Sequence, residues 1–469
     1  MVLYLYTPMF RYLVIHLFTL QIFTFSSQEN KNIKLLDKWF EDSLITNSSK
    51  VRYSGCWGFT FSGKEYAVIG STEGYHFFYL TTSDSIKPCG FIEGKFNSPL
   101  VSHREIKTFD HYAYLVCDEG NSSLQIVDLH YLPDSVVKVA DIQDSRFGKI
   151  HNLFIDTINA RLYACLVTPI SNGTIQKKIP LSVFSLTNPT NPLLLWEGPE
   201  DIPEVHDCYV SNNLAILNCG MDGIRIYDFS NPSTPVLKNI MSIYPDQGYN
   251  HQGWLSPNRH IYVFADETSG KRIKKCVLGE DFNLSIKSYF GTNFTNNSVP
   301  HNIMIDNEFA YVAYYNEGLR IFDIRNNPRE IAAYDTYPEE SFFNMNGAWG
   351  VYSGFPSERI IVSDRQHGLF LFSWNRELFL NSYSEVFELY PNPCNVNELA
   401  ILRTPNDVIT NFTARLMDAT GKVLCVYENE NFSYLNISGP TYQGIFFVEI
   451  THTNYLGESF RLFKKWIIT

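Results

Sequence analysis

His103, His151, His206, His251 and His301 each stand second in a short run that then alternates apolar and polar residues: "SHREIKTF", "IHNLFID", "VHDCYVS", "NHQGWLS" and "PHNIMID". A neutral imidazole is a ligand for transition metals and, beside a carboxylate, a general base near neutral pH. It is also a reliable donor to a backbone carbonyl. Five of them in phase therefore admit three readings: a divalent metal centre, a polar-ligand site built with carboxylates, or a residue that pins each repeat to its neighbour. Two further runs, "CWGFTFS" and "AWGVYSG", put Trp57 and Trp349 where the others have histidine.

What must position these side chains is a repeat. The anchors 57, 103, 151, 206, 251, 301 and 349 follow one another at intervals of 45 to 55 residues. Between them lie three or four short alternating runs rich in β-branched and aromatic residues, divided by Gly and Asn-Pro turns, with no sustained 3.6-residue period from 50 to 376. Four strands per repeat of this length is the pattern of propeller blades rather than of a helical solenoid. The expected fold is all-β, a seven-bladed β-propeller over residues 28–376. The last repeat lacks a fourth strand after "LFLFSW", so residues 32–40 ("IKLLDKWF" among them) are expected to supply it and to remove the open edge.

In a four-stranded blade the connection into the first strand and the turn between strands two and three share one face. That places the histidines beside Asp118, Glu119, Asp222, Asp266, Glu267, Glu317 and Asp364, with Trp57 and Trp349 completing the circle and Trp254 close by. Carboxylates and flat rings together suit a glycan or another hydroxyl-rich or protein ligand. Five imidazoles spread round a wide channel would stand too far apart for one ion at bonds of about 2.0–2.1 Å. Asp128, Asp228 and Asp323, which end the third strand of three repeats, are expected to organise the following turn. A hydrolase or lyase pair such as His206 with Asp222 is the enzymatic alternative; the chain holds no G-x-S-x-G, H-E-x-x-H, G-x-G-x-x-G or P-loop sequence.

"LQIVD", "IRIYD" and "LRIFD", followed by turns, resemble LVIVD repeats, and the arrangement of seven such repeats resembles the choice-of-anchor B family over roughly residues 30–376. The third and fifth repeats depart from the motif with "LSVFSL" and "IKKCVL". That resemblance implies an exported β-propeller and supplies no reaction.

After a linker at 377–387 the pattern changes. Residues 388–469 read as a small immunoglobulin-like β-sandwich carrying Tyr390-Pro391-Asn392-Pro393, a Gly421-Lys422 turn, Gly444 opening "GIFFVEI", and Lys464-Lys465 near the end. In that order they resemble the type A sorting domain of the type IX secretion system. The resemblance implies the secretion machinery and its sortase as partners, surface lipopolysaccharide as an attachment point, and delivery to the outer cell surface or the medium; the alternative is an ordinary appended sandwich. Consistent with export, Arg11 precedes the apolar run "YLVIHLFTLQIFTF" and then Ser26-Ser27, an arrangement expected of a signal peptide over 1–27.

Composition narrows the rest. With 37 basic against 49 acidic residues, net charge −12, and no basic run, nucleic acid is excluded as an expected partner. Nine cysteines occur singly with no CxxC; Cys117, Cys165 and Cys219, in comparable strands, are expected to behave as small buried hydrophobes.

Overall fold

The computed structural model describes residues 30–292, 299–339, 345–376, 379, 387–403, 411–430, 434–453 and 459–469. The expected leader, 1–27, and most of the linker lie outside the described residues. Among the described residues no helix is long and apolar enough to cross a membrane.

The chain is all-β and propeller-like. Residues 30–376 form seven antiparallel sheets among the described residues, the first five each assembled from one repeat in the order of its strands and the last two each joined by a strand from the start of the chain. The fourth shows why the sequence folds this way. Asp207–Ser211 pairs with Leu214–Asn218 across Asn212-Asn213, both at positive φ (47° and 68°), as a two-residue hairpin turn matching strand twist requires. Ile224–Asp228 and Val236–Met241 follow outward. Burial falls along that order: Leu214–Asn218 is wholly buried and Val236–Met241 largely exposed. The turn before the third strand needs glycine at both Gly223 (φ +76°) and Gly318 (φ +75°), because a Cβ there would collide with the carbonyls of Met241 and Tyr334.

At the end of the third strand Asp128, Asp228 and Asp323 each accept from the backbone N–H two residues on, at 2.9, 2.8 and 3.1 Å. These are Asx turns.

Apolar side chains fill the space between successive sheets. One cluster joins Tyr114 and Ile126 of the second sheet to Leu153 and Ala164 of the third. Others join the third to the fourth, the fourth to the fifth, the fifth to the sixth and the sixth to the seventh. The series returns on itself, for Ile361, Leu369 and Leu371 of the seventh sheet pack with Tyr53, Ala67 and Ile69 of the first, and the first packs on the second. The fourth strand of the seventh sheet comes from the other end of the chain: Ile33–Trp39 pairs antiparallel with Gly368–Trp374. Just before it, Asn30–Lys31 pairs with the outer strand of the sixth sheet, Arg329–Tyr334.

The C-terminal residues form a three-stranded and a four-stranded sheet. Ala400, Leu402 and Ile437 of the first share a core with Phe412, Leu416, Phe446, Val448 and Trp466 of the second, so the two are layers of one sandwich. Asn392 of the Tyr-Pro-Asn-Pro stretch holds the last strand: its Nδ2 donates to the Lys465 carbonyl (2.7 Å) and its Oδ1 accepts from Ile467 N–H (3.0 Å). Asp418 organises the Gly421-Lys422 turn by accepting from the Thr420 and Lys422 amides.

All nine cysteines are free; Cys117 and Cys165 are buried in their strands and Cys219 is buried just past the end of its own. Burial pushes the Cys117 thiol up to about 11.

Candidate functional site: a closed ring of imidazoles on the axis

The five histidines and Trp349 meet. Going round, the ring centroids of His103 and His151 are 5.1 Å apart, His151 and His206 4.3 Å, His206 and His251 4.3 Å, and His251 and His301 4.4 Å. His301 and Trp349 then follow at 4.1 Å, and Trp349 returns to His103 at 5.1 Å. Six tilted rings from six sheets thus form a closed circle. The channel is narrow and plugged, not wide as the sequence suggested, because each ring fills the gap to the next. The void beneath the circle is about 10 Å³, the size of one water.

The first sheet contributes no ring. At His251 and Trp349 the pairing register shifts by one, so that the anchor is the extra residue of a β-bulge. In the first sheet the shift falls between Tyr53 and Cys56, at Ser54-Gly55, and Trp57 lies beyond it. Gly55 leaves the space to Glu105, whose carboxylate a Cβ there would strike. Glu105 accepts from Trp349 Nε1 at 3.3 Å. Trp57 packs lower, edge-on to Tyr352 (4.9 Å) and under the Lys107 ammonium (4.4 Å), with its Nε1 donating to Thr108 Oγ1.

A polar layer lines the axis below the rings: Glu105, Asn152, Asp207, Gln252 and Asn302, with Lys107. Asn152 Nδ2 donates to Asp207 Oδ2 at 2.6 Å. Burial lifts the Asp207 carboxyl to about 7 against the pull of Lys107. Four of these follow directly on an anchor histidine, a His-Asn, His-Asp, His-Gln, His-Asn series that the sequence displays and that the reading of anchors alone passed over. Trp254 belongs to a third layer, edge-on to Phe154 (5.6 Å) and Tyr209 (5.0 Å).

Four of the five imidazoles are oriented by their Nδ1. His103 Nδ1 lies 2.7 Å from Glu119 Oε1, and His151 Nδ1 2.8 Å from Asp118 Oδ2. His206 Nδ1 donates to the His251 carbonyl (3.2 Å) and His301 Nδ1 to the Trp349 carbonyl (2.6 Å), each crossing to the next sheet. His251 Nδ1 faces the His301 carbonyl in the same sense but too loosely for a hydrogen bond. Charge divides the circle accordingly. Burial drives His206 and His301 well below the ordinary imidazole range and His251 down to about 4, so these three are neutral. At His151 burial opposes protonation, yet the hydrogen bond and charge of Asp118 outweigh it and raise its pKa. Asp118 and Glu119 are correspondingly lowered, burial being outweighed by His151 and His103.

Above the rings stands a collar of acids. Asp118 and Glu119 are in it, as is Glu267, whose two oxygens lie 3.8 and 3.9 Å from His251 Nε2 and His301 Nε2 and which accepts from Tyr315 OH. Glu204, whose charge acts on the Tyr249 hydroxyl beside His206, adds a fourth. Arg365 lies over Trp349 at 4.8 Å.

The other acids named from the sequence are spent elsewhere. Asp266 is fully buried and holds Lys274 Nζ (2.7 Å) and Tyr244 OH (2.7 Å). Asp364, also buried, accepts from Thr336 Oγ1 and the amides of Gln366 and His367. Glu317 is buried beside Arg320. Asp222 sits in the turn closed by its amide to the Cys219 carbonyl, and among the described residues no hydrogen bond or ion pair joins it to His206.

The LVIVD repeat model matches residues 205–242 and 300–336, the fourth and sixth repeats, so the chain carries LVIVD repeats. No curated protein matches the chain. Among solved structures it is similar to a protein from Lactobacillus plantarum, at 13% identity over 82% of this chain and 99% of that one, TM-score 0.47. It is also similar to the extracellular domain of a one-component system from B. thetaiotaomicron, at 12% identity and TM-score 0.47, covering 94% of this chain and 60% of that one.

Proposed function

We propose that the chain is an exported seven-bladed β-propeller of the choice-of-anchor B type that works as an interaction module, presenting the acid-collared face above the imidazole circle to a glycan or protein ligand. One observation carries this reading: six rings from successive repeats seal the axis and leave Asp118, Glu119, Glu204 and Glu267 gathered over them, where carboxylates can accept hydroxyl or ammonium protons. Repeats that individually carry no reaction build a shared surface in this way.

We assign residues 388–469 to type IX delivery as a type A sorting domain, with the secretion machinery and sortase as partners and the outer surface or medium as destination. The support is that Asn392 and the Gly421-Lys422 turn serve the sandwich's own closure, so the motif order marks a defined domain rather than a chance run.

The test is a glycan array together with a binding screen against extracellular proteins, using the intact chain and a Glu119→Gln, Asp118→Asn chain. A ligand retained by the first and lost by the second supports the reading. No ligand, or one held equally by both, removes it. For delivery, the product recovered outside the native host should end near residue 388; a full-length exported product overturns the sorting assignment.

A further inference from the structure

His301 donates its Nδ1 proton to the Trp349 carbonyl, which leaves a lone pair on Nε2. That lone pair points toward Glu267 Oε1 at 3.9 Å, and His251 Nε2 toward Oε2 of the same carboxylate at 3.8 Å. The donor atoms of these three residues all lie within 4.8 Å of one another. Both imidazoles are buried (4% and 2% exposed), so the place where they meet Glu267 gathers nitrogen and carboxylate ligand atoms away from water. The Tyr315 hydroxyl donates to Glu267 Oε1. His251 Nδ1 has no hydrogen-bond partner, so no backbone acceptor fixes its proton there.

Two imidazole nitrogens and a carboxylate that converge out of water are stabilised when a cation lies between them. Two imidazole nitrogens and one carboxylate are the donor set of a divalent transition-metal ion, above all Zn²⁺, and an imidazole that donates its other N–H to a backbone carbonyl is the usual orientation of such a ligand. Bonds of about 2.0–2.1 Å in tetrahedral array put donors about 3.4 Å apart, so ligand atoms now within 4.8 Å of one another must close in by up to about 1.4 Å in all on binding.

We propose that His251, His301 and Glu267 form a binding site for a divalent transition-metal ion, zinc by its donor set, with a fourth position open toward the acid-collared face. The ion joins the fifth and sixth sheets at the axis. This rests on the placement of that face and not on which ligand the face takes, so its failure leaves the interaction reading standing.

A second group with the same composition provides the control. His111, Asp128 and His130 also bring donor atoms within 4.8 Å, at the outer turn of the second repeat, where His130 is exposed. There each imidazole already has a carboxylate on Nδ1, Asp110 for His111 (3.0 Å) and Asp128 for His130 (3.1 Å), and Asp128 is the Asx-turn residue common to three repeats.

The intact chain, stripped with chelator and dialysed, is titrated with Zn²⁺ against a chromophoric competitor and with Co²⁺, whose visible ligand-field bands report nitrogen and oxygen coordination. One equivalent bound tightly is expected. Affinity should fall at least about tenfold in Glu267→Gln and in His251→Phe, which keeps an aromatic ring in the circle, and should be unchanged in His130→Gln. Thermal melts check that each variant folds, and either of the two axial variants alone suffices. Absence of stoichiometric binding overturns the proposal. So does binding that His130→Gln abolishes and the axial variants leave intact.

Discussion

Arg359, at the edge of the seventh sheet, grips Glu65 of the first: its Nη2 and Nε lie 2.7 and 3.1 Å from Glu65 Oε2, and Ser357 bonds the same carboxylate. Both side chains are about nine-tenths buried. The pair ties the last sheet to the first across a seam that the chain also crosses between Trp39 and Tyr53. Removing one member leaves the other charge buried without its partner, so Arg359→Met should cost about 3–5 kcal/mol, read as a lower denaturation midpoint. Glu65→Gln with Arg359→Met should recover part of that loss. Equal midpoints for the single variant and the native chain would show that the seam is held without the pair.

The strand Ile33–Trp39 covers the outer edge of Gly368–Trp374. A chain beginning at Asp42 should expose that edge and the apolar side chains packed under it, and should be recovered aggregated or with a strongly lowered melting temperature. Adding the separate peptide 30–41 should restore solubility. A shortened chain as stable as the whole would remove the strand's role in closing the ring.

Asp207 supplies a pH dependence whose sign can be worked out. Its folded pKa is about 7 against an ordinary 3.8, because burial disfavours its charge although Lys107 favours it; Glu105 and His151 are the other charged groups facing it. As pH rises from 3.8 to 7 the unfolded chain gives up this proton while the folded chain keeps it, so this group lowers stability over that window and its cost is complete above 7. The full cost is on the order of 4 kcal/mol. Asp207→Asn should therefore melt higher than the native chain at pH 8, with the gap closing toward pH 4. A gap independent of pH would point to packing alone.

Asn392→Ala should loosen the C-terminal sandwich, since Asn392 makes two hydrogen bonds to the backbone of the last strand. The expected loss is about 1–3 kcal/mol, confined to that domain's own unfolding step. A melt in which the repeat region shifts by the same amount would mean that the two do not unfold separately.

The repeat and its anchors were legible because a period of 45 to 55 residues, marked by His or Trp in phase, survives variation in everything between. The grouping of five histidines with Trp349 followed from that phase. Trp57 did not, because its sequence context copies that of Trp349 while its bulge falls at Ser54-Gly55, before the tryptophan, and register is decided by backbone pairing that single letters do not show. The carboxylates sorted by the same logic. Asp118 and Glu119 reach the rings, whereas Asp266 and Asp364, each the last residue of its strand, are claimed by Lys274 and Thr336, partners that no periodicity announces. The width of the channel was misjudged for a simpler reason: the sequence counts rings but not the distance between them.

Because His206, His251 and His301 are buried with a ring 4.1 to 4.4 Å away on either side, none of the three can turn about its own bond without displacing a neighbour. Thermal agitation at the axis is consequently a collective event. A disturbance of the contact at His301 is felt as far round as His103, and the six repeats that contribute rings share mechanical news that their outer strands do not.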